Sequence, residues 1–246
     1  MTTDTAELRR RLDGLADTDP RIDGAYVRLV DDAPDPVVLL GVVHDHPASV
    51  ARARRVVDAL DPDVVALEAP NALTPAFTDT DGAGGEMTAA ADAAAADAAV
   101  VGVDAPGRGT LRSLASVVAD ERPDVRTVAS ALAGLGRLGV HAARGRLQAA
   151  GVPPGWLGGD FERTQDYDCP QDASPGEQAS HEASRVSRST SLLRAFDPPP
   201  ATRVLDGVRE RQMGRRLAGF AARGELVVAV VGFSHLDGVE NEVASC

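Results

Sequence analysis

Val227-Val228-Ala229-Val230-Val231-Gly232-Phe233-Ser234-His235 decides the fold of this chain, because it repeats a stretch near the other end: Val37-Val38-Leu39-Leu40-Gly41-Val42-Val43-His44. Each copy is a continuous apolar run, a Gly, and a His three positions after that Gly. A run of four to eight apolar residues without alternation predicts a strand covered on both faces, which is the pattern of a parallel sheet. Open α/β sheets bind ligands beyond the carboxyl ends of their strands, so two strands ending in His predict one shared site. Gly fills 24 of 246 positions, so about one His in ten would follow a Gly at this distance by composition. The strand before each copy adds the weight that spacing alone lacks.

Working outward, Thr5–Leu15 predicts an amphipathic helix, and the alternation in Gly24–Val30 an edge or second strand. Ser49–Leu60 places Val50, Ala53, Val56, Val57 and Leu60 at helical spacing, and Asp61-Pro62 ends it. Val64–Leu67 is the next buried strand, with Glu68 at its end. After a Thr-, Asp- and Gly-rich loop over 69–85, Glu86–Ala99 predicts an Ala-rich helix and Val100–Val103 a strand closed by Asp104. Helices are expected over 110–119, 127–150, 182–196 and 201–223, and the last strand over 225–231. Gly151–Ser180, polar and rich in Gly and Pro, predicts a solvated loop or a lid. The expected fold is a single α/β domain over 1–246, a central, mostly parallel sheet with helices on both faces and an insertion at 151–180.

The net charge is −12 with a pI near 4.8, and no Lys occurs; every basic residue is Arg. This composition resembles that of proteins from salt-loving archaea or very GC-rich genomes. It argues against nucleic acid as the main partner, because phosphate binding needs a basic surface. The polar N-terminus does not read as a secretory signal, and no apolar run approaches the roughly 18 residues of a membrane span. A cytoplasmic location without a membrane span is therefore expected, with Cys169 and Cys246 as free thiols in no metal-type spacing.

The chemistry candidates stand at strand ends. His44, His235 and Glu68 would make a three-ligand, open metal site suited to Zn, Mn, Co or Fe, whose bound water would be a nucleophile near neutral pH. Glu86, after Gly84-Gly85, could orient a ligand or move a proton, although a Glu in a first helical turn is also favoured by the helix dipole. Asp104 ends its strand as Glu68 does. Arg209, if it faces the cleft, could hold a substrate carboxylate or an oxyanion. His46, two residues beyond His44, is an alternate ligand. A Gly-x-Gly-x-x-Gly after the first strand, a Walker loop and a Gly-x-Ser-x-Gly elbow are all missing from the sequence.

Taken in order, Gly41-x-x-His44, Glu68, Gly85-Glu86-Met87, Val103-Asp104, Thr110-Leu111-Arg112, Arg209-Glu210-Arg211-Gln212-Met213 and Gly232-x-x-His235 resemble the TraB/PrgY (pheromone-shutdown) family of the wider TIKI and erythromycin-esterase-like superfamily. The resemblance covers 36–120 and 200–240, and departs after Asp104, where Ala105-Pro106 replaces the more usual basic residue. It implies paired repeats around a central sheet and a metal-dependent hydrolase or protease site, carried here by His44, Glu68, Glu86, Arg209 and His235. The expected activity is hydrolysis of a peptide or amide, with a divalent metal as cofactor. Two alternatives stand beside it: a binder that sequesters a peptide or small molecule without cleaving it, and a metal-free hydrolase with one His as base and Glu68 activating water.

Overall fold

A computed structural model describes residues 4–31, 35–78, 84–105, 109–136, 167–195 and 199–246. Five strands form one sheet: β1 (Val27–Val30), β2 (Val37–Val42), β3 (Val64–Leu67), β4 (Ala99–Gly102) and β5 (Val227–Gly232). Their spatial order is β1-β2-β5-β3-β4. β1 pairs antiparallel with β2, and every other pairing is parallel. The expected mostly parallel α/β sheet is therefore the observed one. β5 lies in the centre, with Val227 level with Val37 on one side and Val64 on the other.

The apolar runs explain this arrangement. Every residue of β2, β3 and β5 is buried. Val38, Leu40, Val65, Leu67, Val228 and Val230 face a layer containing Ala53, Val56, Val57 and Leu60, whereas Leu39, Ala66, Ala229 and Val231 face Met213, Leu217, Leu236 and Val239. Side chains alternate between faces with period two, so a run apolar at every position needs a helical layer on each side. Helices α1 (Thr5–Thr18), α2 (Pro47–Leu60), α3 (Pro75–Thr78) and α4 (Glu86–Ala93) precede β4. α5 (Thr110–Glu121), α6 (125–136), α7 (Pro175–Ala195), α8 (Pro200–Ala221) and α9 (Leu236–Ala244) follow it.

Three expectations change. α4 stops at Ala93 rather than Ala99, because Ala94 turns extended and residues 95–98 form the turn that delivers Ala99 beside Val64. β4 is a sheet edge and only partly buried, unlike the other three strands that end in carboxylates or His. The loop expected as far as Ser180 already becomes helix at Pro175. Ser174 and Glu177 form a reciprocal capping box there: Glu177 Oε2 accepts from the Ser174 amide at 2.9 Å, and Ser174 Oγ from the Glu177 amide at 3.3 Å. Residues 151–166 of that expected lid, and most of the helix expected to reach Ala150, lie outside the described residues.

α7 is tied to the sheet layer through a fully buried ion pair. Arg52 on α2 meets Glu182 on α7, and neither side chain is exposed to solvent. Arg52 also donates to the carbonyls of Gly41 at 2.8 Å and Arg21 at 2.6 Å, and its guanidinium lies 4.2 Å from the centre of the Tyr26 ring. Ser49 donates to the same carboxylate. Removing one partner of a buried pair strands the other charge, so Arg52→Met should lose about 3–5 kcal/mol of unfolding free energy in urea titrations.

Glycine is required where chains touch. A Cβ at Gly102 would stand 2.5 Å from both the Ala69 carbonyl oxygen and the Asn71 nitrogen, so Gly102→Ala must move backbone. In contrast, a Cβ at the helical Gly219 meets nothing within 4 Å. Chemical denaturation should show Gly102→Ala destabilised by about 1–3 kcal/mol, and Gly219→Ala stabilised by up to about 1 kcal/mol.

Candidate functional site

The C-terminal ends of four parallel strands carry the polar residues: His44 after β2, Glu68 after β3, Asp104 after β4 and His235 after β5. Each Gly of the Gly-x-x-His pattern has a separate packing reason. A Cβ at Gly41 would stand 2.7 Å from Leu236 Cδ2, so Gly41 lets α9 lie against β2. At Gly232 a Cβ would come within 3.2 Å of Glu68 Oε2, the atom that accepts a hydrogen bond from the Gly232 amide at 2.5 Å. The second glycine thus admits a carboxylate beside the central strand.

His44 is held from behind. Its Nδ1 lies 2.7 Å from Glu86 Oε1, while Glu86 Oε2 accepts from the Asp45 amide at 2.8 Å. Asp45 turns the chain sharply with φ of 58°, in the left-handed region that Asp tolerates better than most residues. Gly85 makes the approach possible, since a Cβ there would stand 2.4 Å from Asp45 Oδ1. The Glu86 side chain is 3% exposed and that of His44 58% exposed, so a buried carboxylate orients an accessible imidazole. With Nδ1 engaged, Nε2 is the ring nitrogen left to solvent.

Arg209 on α8 organises the other half. Its Nε and one terminal nitrogen donate to Asp104, the latter at 2.7 Å. The same terminal nitrogen donates to Glu68 Oε1 at 2.5 Å, and the other lies 2.9 Å from His235 Nε2. His235 Nδ1 faces Glu210 Oε1 at 2.9 Å. Arg209, Glu68, Asp104, His235 and Glu210 are therefore one network drawn from four elements. Four of the five guanidinium N–H groups are taken. Among the described residues, the fifth faces only Asp206, at 3.9 Å.

Electrostatics follow from this packing. The hydrogen bond that His44 donates to Glu86 raises the pKa of His44, against the opposing effect of burial and with help from Glu68 and Asp45. Burial works against charge on His235, but Glu210 and Glu68 outweigh it and raise its pKa. The contact with Arg209 exists only while His235 Nε2 is unprotonated, so protonating this ring breaks it. Burial likewise opposes the Arg209 charge, and Asp104 and Glu68 reverse that effect and hold it cationic. Asp206 is pushed up by burial.

The structure brings His44, Glu68, Glu86, Arg209 and His235 to one sheet edge, but not as a metal triad. Glu68 acts electrostatically on both histidines and lies 3.6 Å from His235 Nε2. Both Glu68 oxygens and His235 Nε2 already face donors, namely Arg209 and the Gly232 amide. A metal ion bound by His44, Glu68 and His235 would have to displace the guanidinium, so these residues do not fit that ion as arranged. Among the described residues, the triad of His, Cys or carboxylate ligands whose atoms all lie within 4.8 Å of one another is His46, Cys169 and His181. His46 was legible as an alternate ligand; Cys169 and His181 carried no spacing signal. Both cysteines are unpaired, as expected, with Cys169 buried and Cys246 exposed.

Comparison with family models, with curated proteins and with solved structures finds no match to this chain. The site is therefore read from its own chemistry. Among the described residues, no helix is long and apolar enough to cross a membrane.

Because the His44 pKa is raised in the folded state, the stability contributed by its pair with Glu86 is present in full below the ordinary imidazole value of about 6.5. It is lost as pH rises through the elevated pKa. NMR titration of the His44 ring should show that elevation in the native protein, and a return toward the ordinary range in Glu86→Gln.

Proposed function

We propose that the cleft is a hydrolytic site in which His44 activates water and Arg209 stabilises negative charge, acting on a peptide or amide. The observation that carries this reading is the 2.7 Å contact between His44 Nδ1 and the buried Glu86. A carboxylate behind an exposed imidazole fixes the ring and strengthens the other nitrogen as a base. His44 Nε2 would take a proton from water as the oxygen adds to the substrate carbonyl carbon. The electron pair moves to the carbonyl oxygen, and the N–H of Arg209 that faces Asp206 is suited to receive that charge. Collapse of the tetrahedral species breaks the C–N bond, and the proton held by His44 passes to the leaving amine. Glu68, Asp104 and His235 act on Arg209 rather than on substrate, by holding its plane and charge.

This is the metal-free member of the alternatives, and the placement of Arg209 supports it over a metal held by His44, Glu68 and His235. The TraB/PrgY resemblance supports a peptide or amide as substrate. One observation favours the divalent-metal reading instead: Glu68, Asp104, Asp206 and Glu210 outnumber the cations around Arg209, and such a surplus attracts a cation. Zn, Mn, Co and Fe are not distinguished by it.

Turnover of a library of short peptide nitroanilides, with nitrophenyl acetate as an ester control, tests the reading. His44→Ala should lower kcat by about a hundredfold or more, with Glu86→Gln intermediate and circular dichroism unchanged. Activity should persist in chelator. Full turnover in both variants overturns the site. Turnover lost to chelator and restored by manganese establishes the metal reading instead. A library peptide that binds the protein and is recovered whole after long incubation points to sequestration.

A further inference from the structure

A second polar cluster lies outside the Arg209 network. His46 stands at the N-terminus of α2, Cys169 just before α7, and His181 within α7. His46 Nε2 is 2.9 Å from His181 Nδ1, and the two rings stack with centres 5.2 Å apart. His46 and Cys169 are buried, and His181 is half-buried, which leaves one side open for entry.

We propose that His46, Cys169 and His181 form a zinc site with one open position, separate from the hydrolytic cleft. Two imidazoles and a thiolate suit a borderline-soft d10 ion better than a hard one. Tetrahedral zinc, about 2.0–2.1 Å from nitrogen and 2.3 Å from sulfur, needs its ligand atoms roughly 3.3–3.6 Å apart. The three ligand atoms already lie within 4.8 Å of one another, so zinc would have to draw them together by up to about 1.5 Å.

The surroundings fit an ion bound through His46 Nε2. As it stands, His46 Nδ1 accepts from the Ala48 amide at 3.2 Å, a long helix cap, and Nε2 carries the proton that meets His181. Zinc at Nε2 would shift that proton to Nδ1, which then no longer accepts from the Ala48 amide, and release the Cys169 thiol proton to solvent. The moved proton has an acceptor nearby: Glu182 Oε1 lies 4.0 Å from His46 Nδ1 and is fully buried. Carboxylate, imidazole and metal in line is the arrangement that orients metal-bound histidines. Glu182 also neutralises Arg52, so the same carboxylate would serve both the buried pair and the metal-bound ring.

Occupancy would join three separate pieces: the turn after β2, the 167–169 segment and α7. Tyr167, two residues before Cys169, packs edge-on against His46 at 5.0 Å between ring centres, and its hydroxyl donates to the His44 carbonyl. The zinc site would therefore form the backing of the loop that presents His44, without touching the reacting atoms.

The test is zinc content of the full chain, expressed with zinc, purified without a polyhistidine tag and dialysed against metal-free buffer. Mass spectrometry should find about one zinc per chain in the native protein, in His44→Ala and in Cys246→Ser. Cys169→Ser and His181→Ala should each lose most of it. Cobalt substitution should give a thiolate charge-transfer band that survives Cys246→Ser and disappears in Cys169→Ser. Stripping zinc with chelator should lower the melting temperature of the native protein, and added zinc should restore it, with neither shift in either ligand variant. Zinc-free native protein with no zinc-dependent melting shift overturns the site and leaves the hydrolytic reading standing. Zinc retained in Cys169→Ser and His181→Ala but lost in Glu68→Gln places the ion in the cleft, and overturns this site together with the metal-free reading.

Discussion

The strand that comes last in the sequence occupies the middle of the sheet, and the rest of the structure depends on that insertion. β5 hydrogen-bonds to β2 on one side and β3 on the other, so neither early strand completes its pairing until the chain end arrives. Buried backbone amides and carbonyls left unpaired cost about 1–3 kcal/mol each. The demand for partners thus draws residues 227–232 between 37–42 and 64–67. The same insertion brings the Gly232 amide to Glu68 and His235 to Arg209. The sheet core and the polar edge are consequences of one pairing pattern.

Charge is handled differently in two places. Arg52 and Glu182 neutralise one another out of solvent, with two further guanidinium hydrogens given to backbone carbonyls. Arg209 is shared between two carboxylates and a histidine and remains 21% exposed at its side chain. The first is a joint between α2 and α7, where leaving one charge alone is costly. The second keeps a partly open cation at a strand end, where solvent still reaches it. Both are hubs of one guanidinium, which suits planar, multiply donating contacts that a Lys ammonium cannot make.

Much of this was legible in the residues. Val37–Val42, Val64–Leu67 and Val227–Gly232 read as fully buried strands because an apolar run without alternation satisfies both faces of a covered sheet. His44, Glu68, Asp104 and His235 read as one edge because each directly ends, or closely follows, such a run. The shortened α4 was harder: Ala favours helix throughout 89–99, and only the need to present Ala99 beside Val64 breaks it. The start of α7 had a local signal, Ser174-Pro175-Gly176-Glu177, but it sat within a Gly- and Pro-rich stretch that reads as loop. Cys169 offered no signal, since its histidine neighbours come from distant or differently structured segments.

By itself, the sequence determined the elements, the two-sided burial of the three long apolar strands and the chemistry waiting at their ends. These depend on periodicity and on residues next to one another in the chain. Only the tertiary structure decided which side chains meet. It set Arg209 against Glu68 and His235, where spacing alone suggested a metal. It also brought His46 to His181 across 135 residues. The reason is physical: contacts between distant residues follow the order of strands in the sheet, and the order β1-β2-β5-β3-β4 is chosen by the packing of the whole core, which no local pattern encodes.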